Sequence, residues 1–476
     1  MNNTIHTTKK TKIVATIGPA TEDEATMTAL VQAGMNVARL NFSHQTHDIH
    51  LARLHTARTV SRTLGVPLTV LQDLAGPKIR IGDIQPETIE LVTGDTITIT
   101  TQDCVGSKER LCVNYPTLHQ ELKSGSVVFI RDGRIKLDVL SISGHDLLCK
   151  IIVGGEIKGR KGVNLPGAYL KISALTDKDR KDVQWGVDND VDFMALSFVR
   201  NANDVHELRE LIRASGKDIK IMSKIETQEA IDNIDEIVQA SDAIMIARGD
   251  LAIEVPAEHV PVLQKQIIRK CNKLGKPVVV ATQMLESMIS SPVPTRAEVN
   301  DVANAILDGA DAIMLSEETT LGKHPEKAVE VMQKVALHTE EHFPYEEILR
   351  RHHLAFKDVT DSVGYAVVNT AHELNASAII ALTMSGYTAR MISRYKPKRP
   401  VLVITPDVKT YNRMALKWNC YPMMTEKLNG LNETIERAKR LACDHGFAKQ
   451  GETVVIAAGV PFGTAGNTNM MMVQKA

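Results

Sequence analysis

Short apolar and β-branched runs recur through the first two-thirds of the chain, at 12–17, 37–41, 68–72, 192–198, 219–224, 243–247, 277–281 and 312–315. Most are separated by stretches with helical periodicity, such as 24–33, 204–213, 227–238 and 260–274. Runs such as VVVA, FMAL and IMIA are apolar at successive positions, as strands covered on both faces must be, which predicts a parallel sheet. Eight such strands alternating with helices predict a (β/α)8 barrel. Between the third and fourth runs the pattern changes. Residues 76–170 alternate polar and apolar positions, as in ETIELVTGDTITITT and SVVFIRDGRIKLDVLSISG, and predict a small antiparallel β domain placed over the barrel mouth as a lid. After Tyr345 a new α/β series begins, with strand-like runs at 378–382, 401–404 and 453–457. The expected organisation is a discontinuous barrel of residues 1–74 and 171–345, an inserted lid of 75–170, and a C-terminal α/β domain of 346–476 that is regulatory in the reading developed below.

Composition narrows the partners. Lys plus Arg is 56 against 57 Asp plus Glu, a net charge of −1, so no global basic field exists to hold nucleic acid or an anionic membrane. Aromatic residues make up only 4% of the chain, too few for a platform on which single-stranded bases stack. No apolar run approaches the ~20 residues of a membrane span, and the opening MNNTIHTTKKTK lacks the apolar core of a secretory signal. Six cysteines are scattered without CxxC or Cys/His ligand spacing, consistent with a reduced, cytoplasmic protein. The charged EEHFPYEEILRRHH reads as a solvated helix and linker, because its histidines lack a zincin spacing.

Polar residues gather where seven of the eight barrel strands, the second to the eighth, end: Arg39, Asn41 and Ser43; Asp73; Ser197; Lys224 and Glu226; Arg248 and Asp250; Thr282 and Gln283; Ser316, Glu318 and Thr319. Barrel enzymes keep their chemistry at these C-terminal ends. Glu226 and Asp250 end neighbouring strands and offer hard oxygen donors suited to Mg²⁺, a cation that commonly bridges to substrate phosphate. Lys224, two residues before Glu226, faces the same side of its strand. With Arg39 and Arg80 it supplies positive charge opposite a phosphoryl or enolate oxygen. Neither GxxxxGK[ST] nor a strand-to-helix GxGxxG is present, so a nucleotide must be held by side chains and metal. Residue chemistry alone reaches a barrel enzyme acting on a phosphorylated, carbonyl-like substrate with Mg²⁺.

MNVARLNFSH, LQDLAGPKIR, KGVNLPG, MALSFVR, MSKIET, IARGDLAIE, ATQMLESM, PTRAEVNDVANAILDGADAIMLSEET and GVPFGTAGNTN, in this order and spacing, resemble the pyruvate kinase family, in its bacterial branch. The resemblance spans essentially the whole chain. It implies phosphoryl transfer from phosphoenolpyruvate to ADP, giving pyruvate and ATP as the last step of glycolysis. It also implies Mg²⁺ or Mn²⁺ held by Glu226 and Asp250, and a homotetramer. Lys224 would stabilise the transferring phosphoryl and the enolate, and Arg39 would grip phosphate. The backbone of Arg248, Gly249 and Asp250 would meet substrate, with Ser197 alongside, and Thr319 would sit beside pyruvate. Asn41, His44 and Arg80, with Asp132 and Lys161 from the lid, would hold the nucleotide.

Two positions depart from the pattern of many members. DLAGPKIR stands where these have DTKGPEIR, and members with Lys at that Glu tend not to need potassium. The Lys78 ammonium, in a region with Asn41, Ser43, Asp73 and Leu74, would supply the missing charge, so K⁺ is not expected to be required. SEET replaces SGET, adding Glu317 without an expected loss of activity. In the C-terminal domain Thr383, Met384, Ser385, Gly386, Tyr387 and Thr388 resemble a hydroxyl-rich loop for an effector phosphate. A sugar monophosphate or AMP is expected there in preference to fructose bisphosphate.

Overall fold

The computed structural model describes residues 9–352, 358–426, 430–461 and 466–476. Residues 462–465 of GVPFGTAGNTN, the first eight residues and the final His353 of the charged linker lie outside them.

Eight parallel strands close into a barrel: Lys12–Thr16, Val37–Asn41, Thr69–Asp73, Phe193–Leu196, Lys220–Ile225, Ala243–Ala247, Val278–Ala281 and Ala312–Leu315. Neighbours in sequence are neighbours in the ring, and the first strand pairs with the last, Lys12 opposite Ala312. Alternate residues explain the closure. Val14, Val37, Leu71, Met222, Met245, Val279 and Met314 fill the interior, and Leu416 from the C-terminal domain closes its floor. The other strand faces pack against the helices. Capping boxes start helices Asp177–Asp188, at Thr176 and Asp179, and Arg296–Leu307, at Thr295 and Glu298. The helix expected at 227–238 is two, Gln228–Asp232 and Ile234–Ala240, because Asn233 leaves helical backbone geometry between them.

The lid is a six-stranded sheet in the order Val163–Asn164, Val127–Ile130, Ile135–Ser143, Asp146–Val153, Thr96–Thr100 and Arg110–Cys112, beside a pair formed by Thr88–Leu91 and Gly155–Lys158. It is antiparallel except between Thr96–Thr100 and Arg110–Cys112, which run parallel. Its isoleucines, leucines and valines form their own core.

The C-terminal sheet has five strands in the order Cys420–Met424, Val401–Thr405, Ala378–Leu382, Thr453–Ala458 and Met470–Lys475. The first four are parallel and the last is antiparallel. Two of the five escape a reading by hydrophobic runs: Cys420–Met424 contains Pro422, which an edge strand tolerates, and Met470–Lys475 is half exposed.

This domain is stitched to the barrel floor. Asp311, fully buried, lies 3.3 Å from the Lys396 ammonium and 2.9 Å from that of Lys417. Within the barrel itself, Glu340 on the last helix accepts from the backbone amides of Lys10 and Thr11 at 2.8 and 2.6 Å. The Asn419 amide donates to the Lys10 carbonyl, and Lys12 Nζ to the Cys420 carbonyl, both at 2.8 Å. No described helix is long and apolar enough to cross a membrane.

Candidate active site

At the C-terminal ends of the strands a cavity of about 130 Å³ opens. Arg39, Asn41, Ser43, Lys78, Ser197, Lys224, Glu226 and Asp250 line it. Strand register builds it. Pairing of Val37–Asn41 with Thr69–Asp73 sets Asn41 opposite Asp73, and Asp73 lies opposite Ala195 on its other side. Asp73 therefore reaches Arg39 Nε at 2.7 Å through Oδ2 and the Lys224 ammonium at 3.5 Å through Oδ1. Arg39 is fixed a second time, Nη1 donating to Thr16 Oγ1 at 2.8 Å. Lys224 donates to Ser197 Oγ and meets Glu226 Oε1, both at 2.9 Å.

The charges follow from this packing. Burial works against the Lys224 ammonium, but Asp73 and Glu226 outweigh it and hold its pKa above the usual lysine range. Burial also opposes ionisation of Asp73, and Lys224 and Arg39 overcome it, keeping the carboxyl below its ordinary value. Glu226 moves upward, driven by burial and the nearby Asp250 charge against the pull of Lys224.

A hard divalent cation fits these donors. Glu226 Oε2 is occupied by the Phe198 amide at 2.7 Å, whereas Oε1 is buried without a hydrogen bond beyond its ion pair with Lys224. Asp250, in the first turn of helix Arg248–Glu254, makes no side-chain hydrogen bond or ion pair among the described residues. Two carboxylates bordering one cavity, Asp250 with no described side-chain partner and Glu226 with an Oε1 that meets only Lys224, are the ligand chemistry of Mg²⁺ or Mn²⁺.

Strained backbone supports the wall. Phe198, Thr282 and Gln283 have φ of 53°, 71° and 55°, a left-handed conformation unfavourable for bulky and β-branched residues. The Thr282 turn lets Oγ1 accept from the Gly249 amide at 2.8 Å, so one of the three amides expected to meet substrate already has an acceptor. The Arg248 side chain points away, making a two-pronged bridge to Asp301 at 2.7 and 2.6 Å. Thr319 is fully buried, its hydroxyl donating to the Thr16 carbonyl at 2.8 Å, and it lines neither this cavity nor the next. Leu74 is buried and acts through its backbone, its carbonyl accepting from Ser197 Oγ at 2.7 Å.

A second cavity, about 330 Å³, lies between barrel and lid. Arg80, Asp132 and Lys161 line it, and Lys78 and Asp250 border both cavities. Lys78 Nζ donates to Ser43 Oγ at 3.1 Å. Its pKa is lowered by burial and by Lys224, with Asp250 pulling the other way. His44 is exposed and borders neither cavity. Its pKa is lowered by partial burial and by Lys78, Arg80 and Arg39. Sequence reasoning missed Thr16 and Phe198 as supports and, at the lid, Asn164 and Glu254. The last two sit inside KGVNLPG and RGDLAIE, where only the motif marked them.

The hydroxyl-rich loop of the C-terminal domain lies far along the chain, between strand Ala378–Leu382 and helix Tyr387–Ser393. Gly386 takes φ of 75° to turn the chain. The Thr388 hydroxyl pairs with that of Thr468 at 2.9 Å, and Thr410 Oγ1 donates to the Met384 carbonyl at 2.8 Å. Thr383, Ser385 and Tyr387 complete the loop and first helical turn, and Met384 is exposed.

Residues 8–329 match the family description "Pyruvate kinase, barrel domain", and residues 361–474 match "Pyruvate kinase, alpha/beta domain". The chain belongs to the pyruvate kinase family. Relatives named pyruvate kinase include one from Staphylococcus saprophyticus, 44% identical over 97% of this chain and 80% of the relative's length. Another, from Geobacillus stearothermophilus, is 43% identical over 98% and 80%. A crystal structure described as a pyruvate kinase from Cryptosporidium parvum superposes with a TM-score of 0.95 at 37% identity, covering 100% of this chain and 97% of that one. As a family member the chain is a phosphotransferase, and the family implies a divalent metal.

Proposed function

We propose that the chain transfers the phosphoryl group of phosphoenolpyruvate to ADP, giving pyruvate and ATP. The observation that carries this reading is the Lys224 ammonium, held between Asp73, Glu226 and Ser197 and kept protonated in a cavity it shares with two metal-competent carboxylates. Glu226 and Asp250 hold Mg²⁺ or Mn²⁺, which when bound neutralises phosphate charge. Lys224 and Arg39 stabilise the charge that develops on the phosphoryl and enolate oxygens, in a transfer that needs positioning more than covalent help. Free amides at the start of helix Arg248–Glu254 orient the substrate carboxylate or phosphate, with Ser197 and Thr319 as supports. ADP lies in the larger cavity against Arg80, Asp132 and Lys161, with Asn41 in the adjoining smaller cavity; His44, which borders neither, is left outside the nucleotide site. The deciding experiment is pyruvate formation from phosphoenolpyruvate and ADP with Mg²⁺. Turnover is expected with the metal and is lost on chelation; absence of turnover under any divalent cation overturns the reading.

Lys78, 3.1 Å from Ser43, supplies fixed positive charge beside Asn41, Asp73 and Leu74, which supports activity without potassium. Replacing potassium by a bulky organic cation should leave the rate unchanged, and a large potassium-specific rise would count against it. In the C-terminal domain, Thr383–Thr388 is the site of activation by a sugar monophosphate or AMP. Saturation curves for phosphoenolpyruvate should shift with ribose 5-phosphate, and identical curves argue against the site. The barrel, lid and C-terminal divisions given above, a homotetramer and a cytoplasmic location complete the proposal. Sedimentation tests the tetramer.

A further inference from the structure

One barrel helix, Asp177–Asp188, holds two turns of the site without entering it. Strand Val37–Asn41 runs on into a turn that brings Ser43 to the cavity around Lys224, and strand Thr69–Asp73 into a second turn that brings Lys78 there. The two turns meet where the Lys78 ammonium donates to Ser43 Oγ at 3.1 Å. The helix grips the second turn through its capping box: Asp179 Oδ2 accepts from the Thr176 amide at 3.0 Å, and Oδ1 accepts from the Gly76 amide at 3.1 Å. It grips the first through Lys178, whose ammonium donates to the Phe42 carbonyl at 2.7 Å. One helical turn further on, the buried Asp182 takes the Lys178 ammonium on Oδ2 at 2.5 Å and His47 Nε2 on Oδ1 at 2.7 Å. Phe42 is fixed on its other sides as well. Its amide donates to the Asp73 carbonyl at 2.9 Å, and its buried ring stacks on His50 at 4.1 Å and lies 4.9 Å from Trp185. An exposed lysine–carboxylate pair one turn apart on a helix is worth little, but here the carboxylate is buried and its cations offset the cost of that burial. Asp182 therefore holds Lys178 over a carbonyl that a freely moving lysine would leave to water. Neither residue borders either cavity.

We propose that Lys178, oriented by Asp182, is a positioning residue that fixes the Phe42 carbonyl and so sets where Ser43 meets Lys78 beside the two cavities. The helix then defines one contact from both sides, through Asp179 and Gly76 for Lys78 and through Lys178 and Phe42 for Ser43. The kinetic consequence rests on the phosphoryl transfer proposed above, whereas the grip on the turn is a property of the protein alone.

Two readouts separate these levels. The Lys178 side chain is 55% exposed, so Lys178→Met removes the grip without opening the core. In the protein without substrates, hydrogen exchange at the Phe42 and Ser43 amides should quicken about tenfold or more in Lys178→Met, and return towards wild type in Lys178→Arg, which keeps a cation able to reach both oxygens. In the coupled assay, Lys178→Met should lower kcat about five- to tenfold with both KM values within about twofold of wild type, because the charge it aligns stands beside the reacting centre. Ser43→Ala should give part of this loss and add little in the Lys178→Met background, a non-additivity that general destabilisation would not produce. Asp182→Asn should follow Lys178→Met in both readouts; should it fail to fold, Lys178→Met and Lys178→Arg carry the comparison. Unchanged exchange at Phe42 and Ser43 in Lys178→Met overturns the proposal, as does an unchanged kcat or full additivity with Ser43→Ala. A wild-type protein with no turnover rejects the proposed reaction, while the exchange result still decides the role of Lys178.

Discussion

The two ends of the barrel carry the same device with opposite consequences. At the mouth one buried aspartate, Asp73, faces two cations, Arg39 and Lys224. At the floor Asp311 faces Lys396 and Lys417. The mouth cluster borders a cavity and has a second carboxylate, Glu226, so Lys224 is held charged. The floor cluster is closed, with all three side chains 1% exposed or less, and burial there pushes Lys396 down to about 8 despite Asp311. A charge cluster that opens to a cavity can meet a substrate. One sealed between two domains holds them together and is costly to disturb.

The sharpest way to break this comparison is to exchange the damage. Lys224→Met should lower kcat by about 10²–10³-fold or more, the scale of losing a preorganised charge at a reacting oxygen. Its loss of stability should be smaller than that of a floor substitution, because Asp73 keeps Arg39 at 2.7 Å and Glu226 keeps the Phe198 amide at 2.7 Å. Asp311→Asn should do the reverse, costing about 3–5 kcal/mol in denaturant unfolding by leaving buried lysines unpaired, with kcat per folded molecule retained. A Lys224→Met protein that keeps its turnover, or an Asp311→Asn protein of wild-type stability, would dissolve the distinction.

A smaller effect comes from pH. Folding lowers Lys396 from an ordinary value of 10.5 to about 8. Below pH 8 both folded and unfolded chains are protonated there, and Lys396 adds no slope. Between 8 and 10.5 the unfolded chain binds the extra proton, so this group makes stability rise with pH. Lys396→Met should flatten that rise by about 1–2 kcal/mol, read from urea unfolding at pH 8 and pH 10. The smallest effect is expected from His44→Gln. His44 is exposed and borders neither cavity, so KM for ADP should change less than about twofold, within the range of ordinary surface substitutions. A larger change would bring the mouth's cation set out to this loop.

Much of the fold was legible because buried parallel strands leave continuous apolar runs. Strands Val37–Asn41, Ala243–Ala247 and Ala312–Leu315 have the bounds expected. Pro422 hid one edge strand and the half-exposed pattern of Met470–Lys475 hid another. In the site, Lys224 and Glu226 were legible from period-two alternation on one strand. The counter-ion role of Asp73 was not, because it depends on registers across two strand pairs. Thr282 and Phe198 act through left-handed backbone, which their side chains give no reason to expect.

The stitching of the floor also constrains how the chain is made. The Lys12 ammonium reaches a carbonyl 408 positions away, and the first barrel strand closes on the eighth. A growing chain therefore carries an open half-barrel, with Lys12–Thr16 as an unpaired edge, until Ala312–Leu315 emerges, and the floor stays unsealed until the segment around Cys420 follows. Contacts of such long sequence separation slow folding. The lid, whose strands lie within residues 88–164, can form its own core well before the barrel that it covers is complete.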